Sequence, residues 1–470
     1  MARSLQAQSG SVDQKLRRDS ASSFQSYTQK LHSNFSSVNV QVKYKLLEFV
    51  RDHGIEHHTQ LLTRVDTVER KGQGFLIKST DVLSNKEKVI SSQFLCVTSG
   101  ILSHEQWELS ERGVDVKDDF MGDIVYAAKR HGQDCPLGGM DLTGKKVVVL
   151  GSGSFAAEAV EISEKKGSSD ITIVGRPRYR LILPFSRQYT VSAIANAPFL
   201  PWSIRMKLAL RYVKNRFYKP CNLMHWFPKG KPKDMDFSGQ CHDAYFRLAH
   251  QGKLSCVVDQ IDCLSGSTAF LKSGTSLPCD VLVVASGLKY NLKPSFLGSM
   301  DLDYSKLHNF AFLGKNPRIG CAADFLFAYV PYGPLMQLEM FFHSIKCCMN
   351  GLEDAMYESL QPTPLPNHGD GFLSGGRMAG SYTFFEYSHW WSFQSKAVSA
   401  RVESMLRTLD VGRSPWEKAG LRFRFLYQNM TEWVRCLGRS MQEIKRFKIF
   451  GLPSRPTKGG TCDQNVHVTC

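Results

Sequence analysis

The spacing of apolar and polar positions changes character several times along the chain. Residues 1–38 are rich in Ser, Gln, Lys and Arg without periodic apolar positions, which predicts a disordered tail. Val42, Leu46, Leu47, Phe49 and Val50 then share one face of a helix predicted over Val42–His53 and stopped by Gly54. Alternating runs at Leu61–Val68, Gly74–Lys78 and Lys88–Ser92 predict a small antiparallel meander, and Phe94–Thr98 reads as a strand that ends at Ser99-Gly100. A second strand with the same kind of exit lies at Asp280–Ala285, running into Ser286-Gly287. Between these exits the pattern is that of strand–helix–strand units. Val147–Val149 form a β-branched run, AAEAVEIS a helix-like stretch, Ile171–Val174 and Leu254–Val258 strands, and His242–Gln251 a helix. Helix is expected around Trp202–Phe217 as well.

The junction between the β-branched run and the helix-like stretch carries the chemistry. It reads Gly151-Ser152-Gly153-Ser154-Phe155-Ala156, a GxGxxA turn. Gly151 suits a tight turn, Gly153 lets backbone approach a pyrophosphate, and Ala156 lets the helix pack closely. Unpaired N–H groups and the helix dipole favour an anion at that terminus. The plainer reading is an ordinary glycine turn, but the strand before, the helix after and the second strand at βαβ distance favour a dinucleotide site.

The residues just after the second strand bear on the cofactor. An NAD site usually has a carboxylate there for the ribose hydroxyls, whereas an NADP site has arginine for the 2′-phosphate. The chain reads Gly175-Arg176-Pro177-Arg178, with no acid and two guanidinium groups suited to bidentate phosphate contact. NADP(H) is the expected cofactor, with a solvated basic loop as the plainer alternative.

A length of 470 residues and 42 % apolar content imply two or three domains with sizeable cores. No run of about 18 apolar residues is present to span a membrane, and residues 1–20 lack an apolar signal core. Thirteen cysteines without a CxxC argue against a disulfide framework, a zinc ribbon and a dithiol redox pair, which favours a reducing, cytoplasmic setting. The formal net charge of +16 comes with no nucleic-acid-binding motif, so no nucleic acid is expected. His53, His57 and His58 read as a solvated helix end rather than a metal site, and no metal is expected.

The order of these pieces resembles the flavin-containing monooxygenases over about residues 40–345. The exits VTSG and VASG, the GSGSFA turn between them and DVLVVASGLKYN carry the resemblance. It implies an α/β fold in which a Rossmann-like NADPH domain is inserted in an FAD-binding domain, plus a helical C-terminal region. The expected segments are a tail at 1–38, FAD-domain parts at 39–144 and 286–345, the NADPH domain at 145–285, and a basic helical region at 346–470. The two exits, Ser99-Gly100 and Ser286-Gly287, are expected side by side near the flavin, because the inserted domain leaves and re-enters through adjacent strands. The implied reaction passes hydride from NADPH to FAD, whose hydroperoxide oxygenates a soft nitrogen or sulfur or a carbonyl of a small-molecule substrate.

Two departures from the family pattern stand out. The family's own GxGxxG for the FAD pyrophosphate is not found in residues 1–40, so FAD binding is the weaker expectation. After Phe120-Met121-Gly122, Tyr126 stands where the family has a histidine and Arg130 where it has an aromatic. A phenol, with its pKa of about 10, cannot carry a proton at neutral pH as imidazole does. A catalytically inactive NADP-binding or interaction protein that keeps the fold is therefore the alternative.

Beyond residue 350 no family motif is evident. Phe423, Leu426, Tyr427, Met430, Val434, Leu437 and Met441 fall at helical spacing among arginines and lysines within Arg422–Phe450. Such a helix packs its stripe on the body of the protein or lies on an anionic membrane face, and the first is the expectation. The aromatic segment 381–393 fits a core-covering or interface element, the latter compatible with a homo-oligomer.

Overall fold

The computed structural model describes residues 48–362 and 406–446, apart from 49, 53, 100–101, 128–135, 176–179, 196, 198–199, 228–235, 291–292, 303, 310 and 323–331. The predicted tail, most of the predicted helix at 42–53, Arg130 and the segment 381–393 lie outside the described residues. The chain divides into two compact units, Met1–Asp66 with Ile77–Ile90, and Thr67–Leu76 with Ser91–Cys470. The predicted meander is present as β1 (Thr63–Lys71), β2 (Gly74–Asp81) and β3 (Glu87–Ser92), a three-stranded sheet in chain order. The glycine turn and both exits belong to the second unit.

That unit continues with β4 (Leu95–Val97), β5 (Leu102–Gln106), β6 (Asp115–Val116), β7 (Asp123–Tyr126) and β8 (Lys146–Leu150). Next come α1 (Ser154–Lys165), β9 (Asp170–Gly175), β10 (Arg180–Leu183), α2 (Gln188–Ala195), α3 (Trp202–Val213) and β11 (Asp236–Cys241). They are followed by α4 (Ala244–His250), β12 (Leu254–Val258), β13 (Ile261–Ser265), β14 (Thr268–Leu271), β15 (Ser276–Pro278), β16 (Val281–Val284) and β17 (Leu288–Tyr290). The last elements are β18 (Leu307–His308), β19 (Phe312–Leu313), β20 (Ile319–Cys321), α5 (Tyr332–Met349), α6 (Glu353–Ser359) and α7 (Pro415–Arg446).

The protein is mixed α/β. Its central element is a five-stranded, all-parallel sheet of order β12-β9-β8-β16-β7. Parallel strands covered on both faces read as continuous apolar runs, which is why β8, β9 and β16 are almost entirely buried. Alternate residues serve two cores. Val147, Val149, Ile173 and Val283 pack with Ala156 and Val160 of α1 and with Phe217, Trp226 and Phe246. Val148, Val174, Leu282 and Val284 pack with Leu264, Ala269 and Leu271 of the antiparallel strands β13 and β14.

The sheet reaches outside the segment 145–285 expected for the inserted domain. Its edge strand β7 comes from residues 123–126, and β6 joins the neighbouring sheet β15-β14-β13-β6 by parallel pairing with β13. These strands are too short to show an alternating pattern, so their pairing is not readable from sequence. A separate sheet of order β18-β19-β20-β4 joins the strand before the first exit to residues 307–321, with β4 and β20 parallel in the register Leu95↔Ile319.

In the C-terminal region α7 begins with a capping box. Ser414 Oγ and the Ser414 backbone N–H both donate to Glu417 Oε2 at 2.8 Å, and the Glu417 N–H returns toward Ser414 Oγ at 3.4 Å. The helix lies along α2. Glu443 accepts from the N–H groups of Tyr189 at 3.0 Å and Thr190 at 2.9 Å, and so caps the first turn of α2 from a distant part of the chain. Trp433 Nε1 donates to Ala193 O at 3.2 Å, and Arg439 donates to Tyr189 Oη at 2.7 Å. The expectation that the apolar stripe of this helix packs on the body is corrected here. The packed face is the mixed one of Leu421, Cys436, Ser440 and Glu443, whereas Phe423, Tyr427, Val434, Leu437 and Met441 are exposed. Among the described residues no helix is long and apolar enough to cross a membrane.

Candidate functional site

The glycine turn forms as its spacing predicts. β8 ends at Leu150, the chain turns through Gly151-Ser152-Gly153, and α1 begins at Ser154 with Gly153 as its N-cap. Gly151 has φ 122°, and a Cβ there would run into the Ala285 carbonyl, 2.9 Å from its carbon, so glycine is required twice over. The turn is pinned by neighbouring strands, since Gly151 N–H donates to Val174 O at 2.9 Å and Ala285 N–H to Leu150 O at 2.8 Å. Ala156 is fully buried against the sheet and Phe155 half-buried. Among the described residues no side chain caps α1, and its first turn holds no acidic residue. Its leading N–H groups therefore present a site for an anion at the carboxyl ends of the parallel strands.

Gly175 closes β9 beside this turn. A Cβ on it would stand 3.4 Å from Ser152 Cβ and 3.5 Å from the buried Trp226 ring, so the strand end lies against the turn with an indole beneath it. Arg176 and Arg178 come next in sequence and lie outside the described residues, as does Gly100.

The expectation that the strands before the two exits are neighbours is corrected. β4 belongs to the β18-β19-β20-β4 sheet, and β16 to the five-stranded parallel sheet. The neighbours are instead the segments just beyond the exits. β5 and β17 pair antiparallel, Gln106 opposite Leu288 and Leu102 opposite Tyr290. The chain thus passes between the two sheets on a two-stranded ribbon, and adjacency is transferred from the strands to their continuations. Ser99 is exposed, with its hydroxyl 3.1 Å from that of the buried Tyr304, whose own pKa burial pushes up to about 12. Ser286 lies beside the glycine turn, its backbone N 3.4 Å from the position a Cβ on Gly151 would take. The structure therefore joins the second exit to the turn.

A cluster at residues 107–112, which sequence reasoning did not single out, holds that exit in place. Arg112 donates to Ser286 O at 3.1 Å, and its guanidinium lies 4.2 Å from the Trp107 ring centroid. Lys289, just past the exit, stands 5.7 Å from the same centroid and donates to Glu111 Oε1 at 2.9 Å. That ammonium and the Glu108 N–H hold the Glu111 carboxyl below its ordinary pKa. Tyr126 donates its phenolic hydrogen to Glu108 Oε2 at 2.6 Å. At this position the phenol serves as a hydrogen-bond donor. Nothing in the sequence spacing signals the cluster, because residues 107–112 and 286–289 are about 180 positions apart.

A parallel sheet with a glycine turn into an uncapped helix, joined to a second sheet by a two-stranded ribbon, defines a Rossmann-like α/β protein. No protein-family model matches the chain. Curated relatives share about half of it. The chain is 26 % identical over 277 residues to the probable FAD-binding monooxygenase AlmA of Acinetobacter baylyi, covering 53 % of each chain. It is 25 % identical over 273 residues to the FAD-containing monooxygenase EthA of Mycolicibacterium smegmatis, covering 52 % of this chain and 53 % of the relative. The chain thus spans about half the length of the curated relatives it matches. Among solved structures, OTEMO complexed with FAD and NADP is 12 % identical with a TM-score of 0.45, covering 67 % of this chain and 73 % of that one. The open form of cyclohexanone monooxygenase is 13 % identical with a TM-score of 0.44, covering 65 % and 71 %. The similarity suggested by the exits and the glycine turn is thus matched by sequence relatives named as FAD-binding and FAD-containing monooxygenases.

Proposed function

We propose that this chain supplies the NADPH-binding half of a flavin-dependent monooxygenase that acts on a small molecule. The observation that carries the reading is the uncapped, acid-free N-terminus of α1 behind Gly151–Gly153, at the carboxyl ends of β8 and β9. A pyrophosphate there would be held by the backbone N–H groups of residues 154–156 and favoured by the helix dipole. The residues present fit that group. Arg176 and Arg178, next in the chain after Gly175, would take the 2′-phosphate, and Ser99-Gly100 with Ser286-Gly287 would border the flavin.

A bound flavin supplies the oxygen-activating step in enzymes of this class. Among the described residues β8–α1 is the only strand that runs through a glycine turn into a helix N-terminus. The part of the reaction assigned to this chain is nucleotide capture and its alignment at the ribbon. Arg112, Trp107 and Lys289 act as positioning residues, since they fix the exit that lies against the turn. The match to relatives named as FAD-binding and FAD-containing monooxygenases supports the reading.

Isothermal titration of the full chain tests it. NADPH is expected to bind at least about tenfold more tightly than NADH, the effect of a charge-assisted contact, and Arg176→Ala to erase the difference. Equal affinity for the two nucleotides in the unmodified chain would overturn the NADPH assignment.

A further inference from the structure

Charge is distributed unevenly along the chain. Of its 59 basic and 43 acidic residues, thirteen basic and no acidic ones fall within residues 171–233, so this stretch carries thirteen of the sixteen net positive charges. Part of that charge is committed inside the fold, since Arg205 of α3 is fully buried and buried Arg187 donates to Glu443 O. Much of the rest gathers on one element. α3 and the helical turn that continues it through Lys214–Tyr218 expose Lys207, Arg211, Lys214 and Arg216, and Lys219 follows them. Among the described residues no carboxylate pairs with Lys207, Arg211, Lys214 or Lys219.

Aliphatic side chains stand among these cations. Ile204, Lys207, Leu208 and Arg211 occupy positions i, i+3, i+4 and i+7, which places them within about 100° of one another around the axis. Ile204 is 44 % exposed and Leu208 43 %, and exposed Leu200 precedes them at the same four-residue interval. The opposite side of α3 is fixed, because Ala209, Leu210 and Val213 are buried in the core that also holds Val147, Val149 and Val160. The helix therefore cannot roll to hide the strip.

From this arrangement we infer that the exposed face of α3 is a docking surface for an anionic phospholipid bilayer, with the helix lying in the plane of the interface. Charge selects the occupant. A soluble polyanion would satisfy the cations and leave the aliphatic strip in water, whereas a bilayer offers anionic headgroups with hydrocarbon directly beneath them. Leu200, Ile204 and Leu208 enter at the level of the headgroup–acyl boundary, and the lysine and arginine stems lie alongside with their charged ends among the phosphates. Each basic residue at such a surface is worth roughly fivefold in affinity, so the five exposed cations supply on the order of a thousandfold. The attachment is peripheral, resting on one amphipathic face.

Flotation of the full chain with unilamellar vesicles tests the inference. Partition onto phosphatidylcholine vesicles containing about 30 % phosphatidylserine should be at least about a hundredfold tighter than onto phosphatidylcholine alone, and should weaken as salt is added. These two readings need no variant. Lys207→Glu combined with Arg211→Glu should weaken binding to the anionic vesicles by at least about a hundredfold. Ile204→Ser combined with Leu208→Ser should weaken it roughly tenfold while leaving binding to heparin, a soluble polyanion, unchanged. Lys86→Glu combined with Lys88→Glu makes the same change in net charge at exposed positions by the β2–β3 turn, and should leave vesicle binding within about threefold of the parent. Circular dichroism should show all three variants folded. Equal partition onto the two kinds of vesicle, a folded Lys207/Arg211 variant that binds like its parent, an equal loss in the Lys86/Lys88 variant, or full lipid affinity in the Ile204/Leu208 variant would overturn the inference.

Discussion

Gly151 and Ala285 touch across adjacent parallel strands, so closely that a side chain on residue 151 would penetrate the Ala285 carbonyl. The glycine turn and the second exit are therefore one structural feature. With φ at 122°, Gly151→Ala combines backbone strain with a clash against main chain, and the expected cost is about 2–4 kcal/mol in urea unfolding. NADPH affinity should fall with it, because relief requires the turn or β16 to shift. A variant as stable as the parent would show that the turn does not have this geometry.

Arg112 is expected to behave differently from a surface arginine. It stacks on Trp107 and donates to Ser286 O, so Arg112→Lys keeps the charge while losing the planar stacking and the fork. A loss of about 1–2 kcal/mol is expected for Arg112→Lys and for Trp107→Ala alike. In a double-mutant cycle the two losses should be strongly non-additive. Additive losses would contradict a shared contact.

Asp243 gives the protein a distinctive pH dependence. Burial pushes its carboxyl up to about 6, against the opposing pull of its bonds from Ser186 N–H and Oγ. Its folded pKa lies above its unfolded one, so the folded state binds the proton more readily. The site's contribution is present in full below about pH 4 and is lost as pH rises through about 6. Asp243→Asn should remove that fall, a few kcal/mol at most between those limits, as a difference between the two stability curves. Curves that stay parallel from pH 4 to pH 6.5 would contradict a raised pKa.

Glu443 is a cap supplied by tertiary structure. Its carboxylate satisfies the N–H groups of Tyr189 and Thr190 and the Thr190 hydroxyl, although burial raises its pKa. Glu443→Ala should cost about 1–3 kcal/mol, the penalty for unsatisfied buried donors, and speed amide hydrogen exchange at residues 189 and 190 in particular. Unchanged exchange at those two amides would mean that another group caps α2.

The strands with long apolar runs are legible in the sequence. β8, β9 and β16 form within a residue or two of the predicted ranges, because burial on both faces writes itself as consecutive Val, Ile and Leu. The turn at 151–156 is legible for a similar reason, since its glycines answer local backbone demands. The short strands β5, β6, β7 and β17 are not, because their pairings span long sequence separations and two to five residues hold no period. For the same reason the sequence suggests adjacent strands at the exits where the structure has a ribbon. The direction of the α7 stripe is illegible because a helical period identifies an apolar face without saying whether the body of the protein covers it.

The claim that the N-terminus of α1 receives a nucleotide phosphate is tested most directly by Ser154→Glu. A carboxylate in the first turn of an uncapped helix should leave thermal stability unchanged or raise it by about 0.3–1 kcal/mol through the helix dipole. The same charge would occupy and repel the anion position. Titration with NADPH should therefore show affinity reduced at least about tenfold in a protein no less stable than its parent. NADPH binding as tight in Ser154→Glu as in the unmodified chain would contradict the account.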